Sequence, residues 1–389
     1  MEYIHREIEA ELDKLESQYP VFVITGPRQS GKTTLARHKY PNLPYFSFEN
    51  PDIRLMAHTD PRAFLKNIPD GAILDEVQHV PDLISYLQQI VDENREKSRF
   101  ILTGSNQFLL MNKITQSLAG RTAILKLLPL SLKELSSHDT MLTSELIFNG
   151  FYPVVHSRLA DPTKTYRNYY ETYLERDLRH LLQIKDLSLF QKFVRICAGR
   201  IGNLFNASAI AGETGVSVST TKSWISILEA SYVIMQLQPY YDNINKRLIK
   251  SPKLYFYDTG LACYLLGIEN IGQVARDPLY GALFENMVIM DAVKYRYNKG
   301  FDHNLYFFCD SHHSEIDLVY KRANELIPIE IKSAQTYHPD FMKGIRYIKK
   351  LYPDRIPRSF LTYDGDIELL QNETEIVNFR KLSAKLFEE

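Results

Sequence analysis

Cysteine is scarce in this chain of 389 residues: three, Cys197, Cys263 and Cys309, lie far apart. Such spacing makes neither a metal cluster nor a disulfide framework, and it suits a reducing interior. Net charge is scarce too. At −1, the balance excludes a uniformly basic nucleic-acid coat while leaving room for local basic stripes. No apolar run approaches the roughly twenty residues that a bilayer span needs. The stretch Met1 to Tyr19 is charged and amphipathic, with Ile4, Ile8, Leu12 and Leu15 at helical spacing, so it does not read as a secretory leader. A cytoplasmic, membrane-free protein is expected. Repeats of solenoid period and low-complexity tracts are missing as well. What is plentiful is core material: 44% hydrophobic content at this length predicts two or three domains. The 25 tyrosines and 20 phenylalanines are too many to be anything but packing for the most part.

The sharpest local signal follows the apolar run Val21 to Ile24. Gly26-Pro27-Arg28-Gln29-Ser30-Gly31-Lys32-Thr33 matches the phosphate-cradling pattern G-x-x-x-x-G-K-[ST], and a helix-compatible stretch, Thr34 to Tyr40, comes next. Glycines let backbone N–H groups point at the α- and β-phosphates, Lys32 reaches the β/γ oxygens, and the Thr33 hydroxyl ligates Mg²⁺. The chain is therefore expected to bind ATP with Mg²⁺ through residues 26–33 and Thr34.

An acidic strand end should complete such a site. Ala72-Ile73-Leu74-Asp75-Glu76 supplies it after the turn Pro69-Asp70-Gly71, with Asp75 in the Mg²⁺ shell and Glu76 polarising the attacking water. A third strand, Arg99 to Thr103, ends in Gly104-Ser105-Asn106. Asn106 is expected to reach the γ-phosphate from mid-sheet, the plainer alternative being a capping turn. Arg121 precedes a strand from Ala123 to Leu128. It is either a cation offered to a neighbouring subunit's nucleotide or a surface or intrasubunit contact.

These segments, with Leu74-Asp-Glu-Val-Gln78, Leu102-Thr-Gly-Ser-Asn106, Leu118-Ala-Gly-Arg121 and Pro129-Leu130-Ser131, resemble the AAA+-type ATPases of the AAA_14 group. Those proteins usually carry a C-terminal DUF4143 region, and the later part of the chain is similar to that too. The resemblance implies a P-loop ATPase of poorly defined cellular role; a parallel sheet in the ATPase domain and a ring-shaped homo-oligomer are expected.

After Pro129 to Ser137 the strand-turn-helix rhythm gives way to helix, and Tyr166 to Leu182 is one strongly patterned run. Its charges, Glu175, Arg176, Asp177 and Arg179, suit within-helix pairing. A helix-turn-helix is expected next: Ala207 to Thr214, the turn Gly215-Val216-Ser217, and Val218 to Ser231 with Trp224, Ile225 and Leu228 inward. Strands Tyr232 to Gln238 and Lys253 to Tyr257 would form a wing. The outward face offers Ser219, Thr220, Lys222 and Ser223, and the wing loop Lys246, Arg247 and Lys250. One lysine among small hydroxyls reads bases weakly, and such modules also pack against proteins. The basic wing favours DNA phosphate contact.

Glu285 lies on a helical run from Leu279 to Tyr297. The strand Asn304 to Cys309 follows, then Glu315-Ile316-Asp317-Leu318-Val319, a turn at Lys321 to Asn324, and Ile329-Glu330-Ile331-Lys332. Alternation puts Glu330 and Lys332 on one face, and Asp317 on the adjacent hairpin strand can share it. The set resembles the PD-(D/E)xK nuclease fold, with the usual Pro-Asp relaxed to Ile316-Asp317. Asp317, Glu330 and Glu285 would then hold Mg²⁺ and Lys332 would position the water. A solvent-facing Glu-x-Lys strand without chemistry is the commonplace alternative.

The expected architecture is thus α/β throughout: an AAA+ P-loop domain over 1–135, a helical linker or lid over 136–185, a winged helix over 186–262, and a nuclease-like α/β domain over 263–389. The expected function is ATP hydrolysis coupled to DNA. The alternative is a nucleotide-driven protein-assembly switch without nucleic acid.

Overall fold

Among the described residues of the first 130, five strands arise: β1 (Val21–Thr25), β2 (Tyr45–Ser47), β3 (Gly71–Asp75), β4 (Arg99–Gly104) and β5 (Thr122–Lys126). They form an all-parallel sheet in the order β2-β3-β4-β1-β5. β1 is apolar almost throughout because both faces of the sheet are covered. Val21 and Val23 face one cluster, with Phe64, Leu65, Leu83, Ile84, Leu87 and Val91 from the helices Pro61–Lys66 and Leu83–Glu93. Phe22 and Ile24 face the other, with Leu12 of the helix Glu9–Leu15 and Leu35 and Ala36 of Lys32–Lys39. Each of these valine, leucine, isoleucine and phenylalanine side chains contributes roughly 1.5–3 kcal/mol on burial.

The computed structural model describes the chain apart from residues 1–2, 94–98, 106–113, 115–116, 136, 138, 159, 176–185, 242–250, 311–313 and 388–389. Compactness divides it into two units. The first is residues 1–130 with Ala230–Tyr232 and Arg296–Phe301, and the second is the remainder from Ser131. Three of the four expected regions therefore fall largely within one unit.

Several element boundaries in the first unit differ from expectation by one or two residues, among them the following. The helix after the phosphate loop begins at Lys32 rather than Thr34, because left-handed Gly31 starts it from inside the motif. β5 ends at Lys126 rather than Leu128, although the Leu127 N–H still donates to Thr25 O at 2.8 Å.

In the second unit the helix Leu187–Ala198 packs its Phe190 and Phe193 edge-on against Trp224, each at 5.3 Å between ring centroids. Trp224 belongs to the helix Val218–Ala230, which follows Ala207–Thr214 across Gly215 in a left-handed turn. Strands β6 (Ile234–Leu237) and β7 (Lys253–Phe256) pair antiparallel behind it, and Leu204 bridges to Lys253. The run expected as one helix from Tyr166 starts at Pro162 and changes from α to π geometry over Tyr170–Glu175. There the Thr172 hydroxyl donates to Asn168 O at 2.6 Å, competing for the carbonyl that an α-helix gives to the Thr172 N–H.

Among its described residues this unit also holds a six-stranded mixed sheet, β12-β13-β11-β10-β9-β8. Its strands are β8 (Leu305–Cys309), β9 (Glu315–Arg322), β10 (Glu325–Lys332), β11 (Ser359–Tyr363), β12 (Leu369–Gln371) and β13 (Thr374–Asn378). β8, β9 and β10 run antiparallel, and β10, β11 and β13 run parallel. Phe308, Ile316, Leu326 and Leu361 meet Ile345 and Ile348 of the helix Lys343–Leu351 in one core. The helix Tyr280–Asn298 carries Phe284, which meets Phe379 edge-on at 5.1 Å.

Candidate functional site

β1 delivers Gly26 directly against the chain leaving β5. Its φ is +148°, and a Cβ there would sit 2.0 Å from Leu127 O, so glycine is required. Gly31 at φ +95° and Gln29 at φ +63° complete a loop of left-handed turns, the backbone form that gathers N–H groups into an anion-binding nest. The Ser30 hydroxyl is buried and has no hydrogen-bond partner, an orphan that a phosphate oxygen would satisfy. Lys32 is buried, and its Nζ donates to Gly26 O at 3.0 Å and Pro27 O at 2.7 Å. Burial pulls this ammonium's pKa down to about 8, against the opposing pull of Glu76 and Asp75. Nest, orphan and desolvated cation all fit a polyphosphate.

β4 lies between β1 and β3, so the acidic strand end is set one strand away from the loop strand. Thr33 Oγ1 spans that gap and donates to Asp75 Oδ1 at 2.8 Å. Thr103, from the end of β4, donates to the same oxygen, and Tyr45 on β2 donates to Oδ2 at 2.8 Å. Burial and the neighbouring Asp75 push the Tyr45 phenol up to about 12, so it stays a donor. A hydroxyl and a carboxylate side by side are hard oxygen donors suited to Mg²⁺.

Glu76 takes a left-handed backbone at φ +54° immediately after β3. Its Oε2 accepts from the Ser105 N–H at 3.3 Å, the Ser105 hydroxyl at 3.1 Å and Gln78 Nε2. Burial pushes this carboxyl up, but Lys32 and those hydrogen bonds outweigh it and hold the pKa below the usual range. Glu76 is thus held ionised beside the loop.

The other expected nucleotide residues are placed as follows. Pro27 is buried, Arg28 pairs with Glu49 at 2.9 Å, and Gln29 and Thr34 are exposed. Arg121 grips Asp92 through two nitrogens, with Nη2 to Oδ2 at 2.9 Å, and donates Nη1 to Ala119 O at 3.0 Å. Of the two uses expected for it, the intrasubunit contact is formed. Asn106 lies outside the described residues. The sequence reading missed Tyr45, Thr103, Gln78 and Ser105 as partners of the acids. Gln78 and Ser105 were visible in the quoted motifs, whereas Tyr45 needs the β2–β3 register to be placed.

In the second unit, Asp317, Glu330 and Lys332 are brought together. The β9–β10 register sets Leu318 opposite Ile329, one step from Asp317 and Glu330. Lys332 Nζ donates to Asp317 Oδ2 at 2.9 Å and Glu330 Oε2 at 2.7 Å, and the Ile331 N–H donates to Asp317 at 2.8 Å. Glu285 is nearby but differently engaged. It accepts from the Tyr255 hydroxyl and pairs with Lys253 Nζ at 3.3 Å, and Lys253 also pairs with Glu315. Lys253, whose side chain is 4% exposed, was not among the expected site residues, since it lies on β7, about thirty residues before Glu285.

Burial and the charge of Asp317 push Glu285 up to about 7 and Glu330 up to about 9. Asp317 itself is pushed up by burial but held low overall by Lys332, Lys253 and the Ile331 N–H. Burial opposes the charge on both lysines, and their acidic neighbours more than reverse it. Among the described residues no three Asp, Glu, His or Cys side chains form a metal-holding group. The expected shell of Glu285, Asp317 and Glu330 is instead divided between the buried Lys253 and the half-buried Lys332. A cleft of about 690 Å³, lined in part by Arg200, Asn203, Glu213, Lys253 and Glu315, opens onto this cluster.

On the helix Val218–Ala230, Ser219, Lys222 and Ser223 are exposed and Thr220 is half-buried. Ser217 caps that helix, its Oγ accepting from the Thr220 N–H at 3.0 Å and lying 2.8 Å from both the Ser219 and Thr220 hydroxyls. Lys246, Arg247 and Lys250 lie outside the described residues, as do Arg176, Asp177 and Arg179.

A parallel sheet whose first strand feeds a glycine-walled loop, with an acidic pair one strand away, defines a P-loop ATPase domain. Comparison with known families agrees. An AAA domain model, AAA_14, matches residues 18–136. Two domains of unknown function follow, DUF8612 at residues 140–271 and DUF4143 at 280–382. The chain is a P-loop AAA-type ATPase with a C-terminal DUF4143 domain. An uncharacterized protein of Mycobacterium tuberculosis is 29% identical over 375 residues, 95% of this chain and 82% of that one. Another, from Haemophilus influenzae, is 23% identical over 344 residues, 79% of this chain and 81% of that one. Among solved structures, a Walker-type ATPase of Pyrococcus abyssi aligns with a TM-score of 0.46 at 16% identity, covering 67% of this chain and 94% of its own. RuvB of Thermotoga maritima aligns at 0.31 and 18%, covering 59% and 86%. No helix among the described residues is long and apolar enough to cross a membrane.

Proposed function

We propose that the chain hydrolyses ATP and couples hydrolysis to the handling of DNA. The observation that carries hydrolysis is Glu76, held ionised by Lys32, Gln78 and Ser105 at the mouth of the phosphate loop. Lys32, released from the Gly26 and Pro27 carbonyls, would bind the β/γ oxygens, and the loop N–H groups would hold the α/β oxygens. Mg²⁺, when bound at Thr33 and Asp75, would neutralise charge on the transferring phosphoryl group. Glu76 would orient the attacking water and take its proton. Thr103 and Tyr45 position Asp75 from either side.

The DNA reading is supported by the helix pair Ala207–Thr214 and Val218–Ala230 with the antiparallel strands β6 and β7, which we read as a winged helix whose second helix exposes Ser219, Lys222 and Ser223. Phosphate contact by that face and by Lys246, Arg247 and Lys250 would make binding weakly specific and salt-dependent. The C-terminal sheet, nuclease-like in its Asp317, Glu330 and Lys332, would grip or cut the bound strand. The assembly-switch reading has one observation in its favour: the C-terminal carboxylates are neutralised by lysines of the same chain.

ATPase rates with Mg²⁺, with and without linear, single-stranded and four-way-junction DNA, separate the two. Stimulation lost in Lys32→Ala, and any cleavage lost in Glu330→Ala, would support the DNA reading. A rate indifferent to every DNA form, with no binding at low salt, would leave the assembly switch.

A further inference from the structure

We infer that Arg6, from the segment ahead of the first helix, is a positioning residue for the phosphate loop. The inference rests on the nucleotide reading of that loop. Arg6 is 3% exposed, rare for a guanidinium unless its donors are satisfied. Nη1 donates to Ser30 O at 2.8 Å and Nη2 to Leu128 O at 2.7 Å. Its own N–H donates to Glu9 Oε1 at 2.9 Å, an oxygen that also accepts from the Tyr3 hydroxyl at 2.7 Å. The segment is therefore fixed on itself before it reaches the loop.

The peptide that Arg6 grips is the one between Ser30 and Gly31. In a trans peptide the C=O and N–H point in opposite directions. With the Ser30 carbonyl drawn down to the guanidinium, the Gly31 N–H is turned away from it, toward the concave side where a phosphate would sit. The second carbonyl, Leu128 O, lies one residue beyond Leu127, whose own carbonyl abuts Gly26. Both ends of the loop are thereby referenced to the same short stretch of chain. A buried cation beneath the nest also adds positive potential where polyphosphate charge arrives. Lysine could supply the charge, but all its donors sit on one nitrogen, whereas the Arg6 guanidinium reaches the two carbonyls from two separate nitrogens fixed in one plane.

The test is the affinity of the full chain for a fluorescent methylanthraniloyl-ADP with Mg²⁺, measured beside the thermal unfolding midpoint. Arg6→Met should weaken binding by about ten- to a hundredfold, the range of a charged hydrogen bond. Arg6→Lys should fall between. Ile8→Ala, which opens the core beside the same segment, should lower the midpoint while leaving affinity within about twofold of the natural chain. Should Arg6→Met fail to fold, Arg6→Lys decides: weakened binding with a cooperative unfolding transition supports the role. Affinity unchanged in the Arg6 variants, or a loss matched by Ile8→Ala, would overturn it and leave the nucleotide reading standing. A natural chain that binds no nucleotide would overturn both.

Discussion

The two charged clusters of this chain use their lysines in opposite ways. In the phosphate loop Lys32 is held by two neutral carbonyls, and burial has drawn its pKa down to about 8. In the C-terminal sheet Lys253 and Lys332 are held by carboxylates that reinforce their charge. The first cation is under-compensated and ready for an anion from outside. The second pair is already saturated from within. In this chain the lysine hydrogen-bonded to backbone dipoles is the one poised for an outside anion, and the lysines bonded to carboxylates already have their counter-charge.

Removing the cation from each cluster should break this contrast most sharply. Lys32→Ala is expected to lower ATP turnover by about a thousandfold or more, with the unfolding midpoint of the chain little changed, as read by a coupled phosphate assay beside calorimetry. Glu76→Gln should come next, reducing kcat by about a hundredfold or more while nucleotide affinity stays near the natural value. Lys253→Met should do the reverse of Lys32→Ala. It strands Glu285 in the interior and should destabilise the second unit by about 3 kcal/mol or more in denaturant titration, with nucleotide affinity unaffected.

Proton linkage should sharpen the contrast with smaller effects. Glu330 carries a folded-state pKa raised to about 9, above its unfolded value. A raised carboxyl binds more protons folded than unfolded, so stability should decline as pH rises from about 5 toward 9. Glu330→Gln should flatten that slope, and an unchanged slope would refute the assignment. At the phosphate loop the depressed Lys32 loses its proton above pH of about 8, so nucleotide affinity should fall there. The smallest effect is expected of Arg121→Ala, which breaks an exposed pair with Asp92 and should leave the unfolding midpoint unmoved. A large loss of turnover in that variant, growing with protein concentration, would instead mark Arg121 as acting on a neighbouring subunit.

The loop site was legible in the sequence because its chemistry is compressed into eight consecutive residues whose backbone forms are specified locally by Gly26 and Gly31. Asp75 and Glu76 were legible for a related reason: a short apolar strand ends on them. The helix pair Ala207–Thr214 and Val218–Ala230 was legible through Gly215 and the spacing of Trp224, Ile225 and Leu228. Strand alternation correctly put Glu330, Lys332 and Asp317 in one place. It could not show Lys253, which reaches their neighbourhood from another strand, nor that Glu285 turns to that lysine and to Tyr255.

By itself, then, the sequence determined what depends on neighbours along the chain: the nest, the acidic strand end, and the periodicities of helix and strand. Tertiary structure alone decided which cation meets which carboxylate. It placed β4 between β1 and β3, so that Thr103 and Ser105 became partners of Asp75 and Glu76, and it set Arg6 beneath Ser30. Such pairings depend on burial, strand order and register, and those are properties of the packed chain that no local spacing encodes.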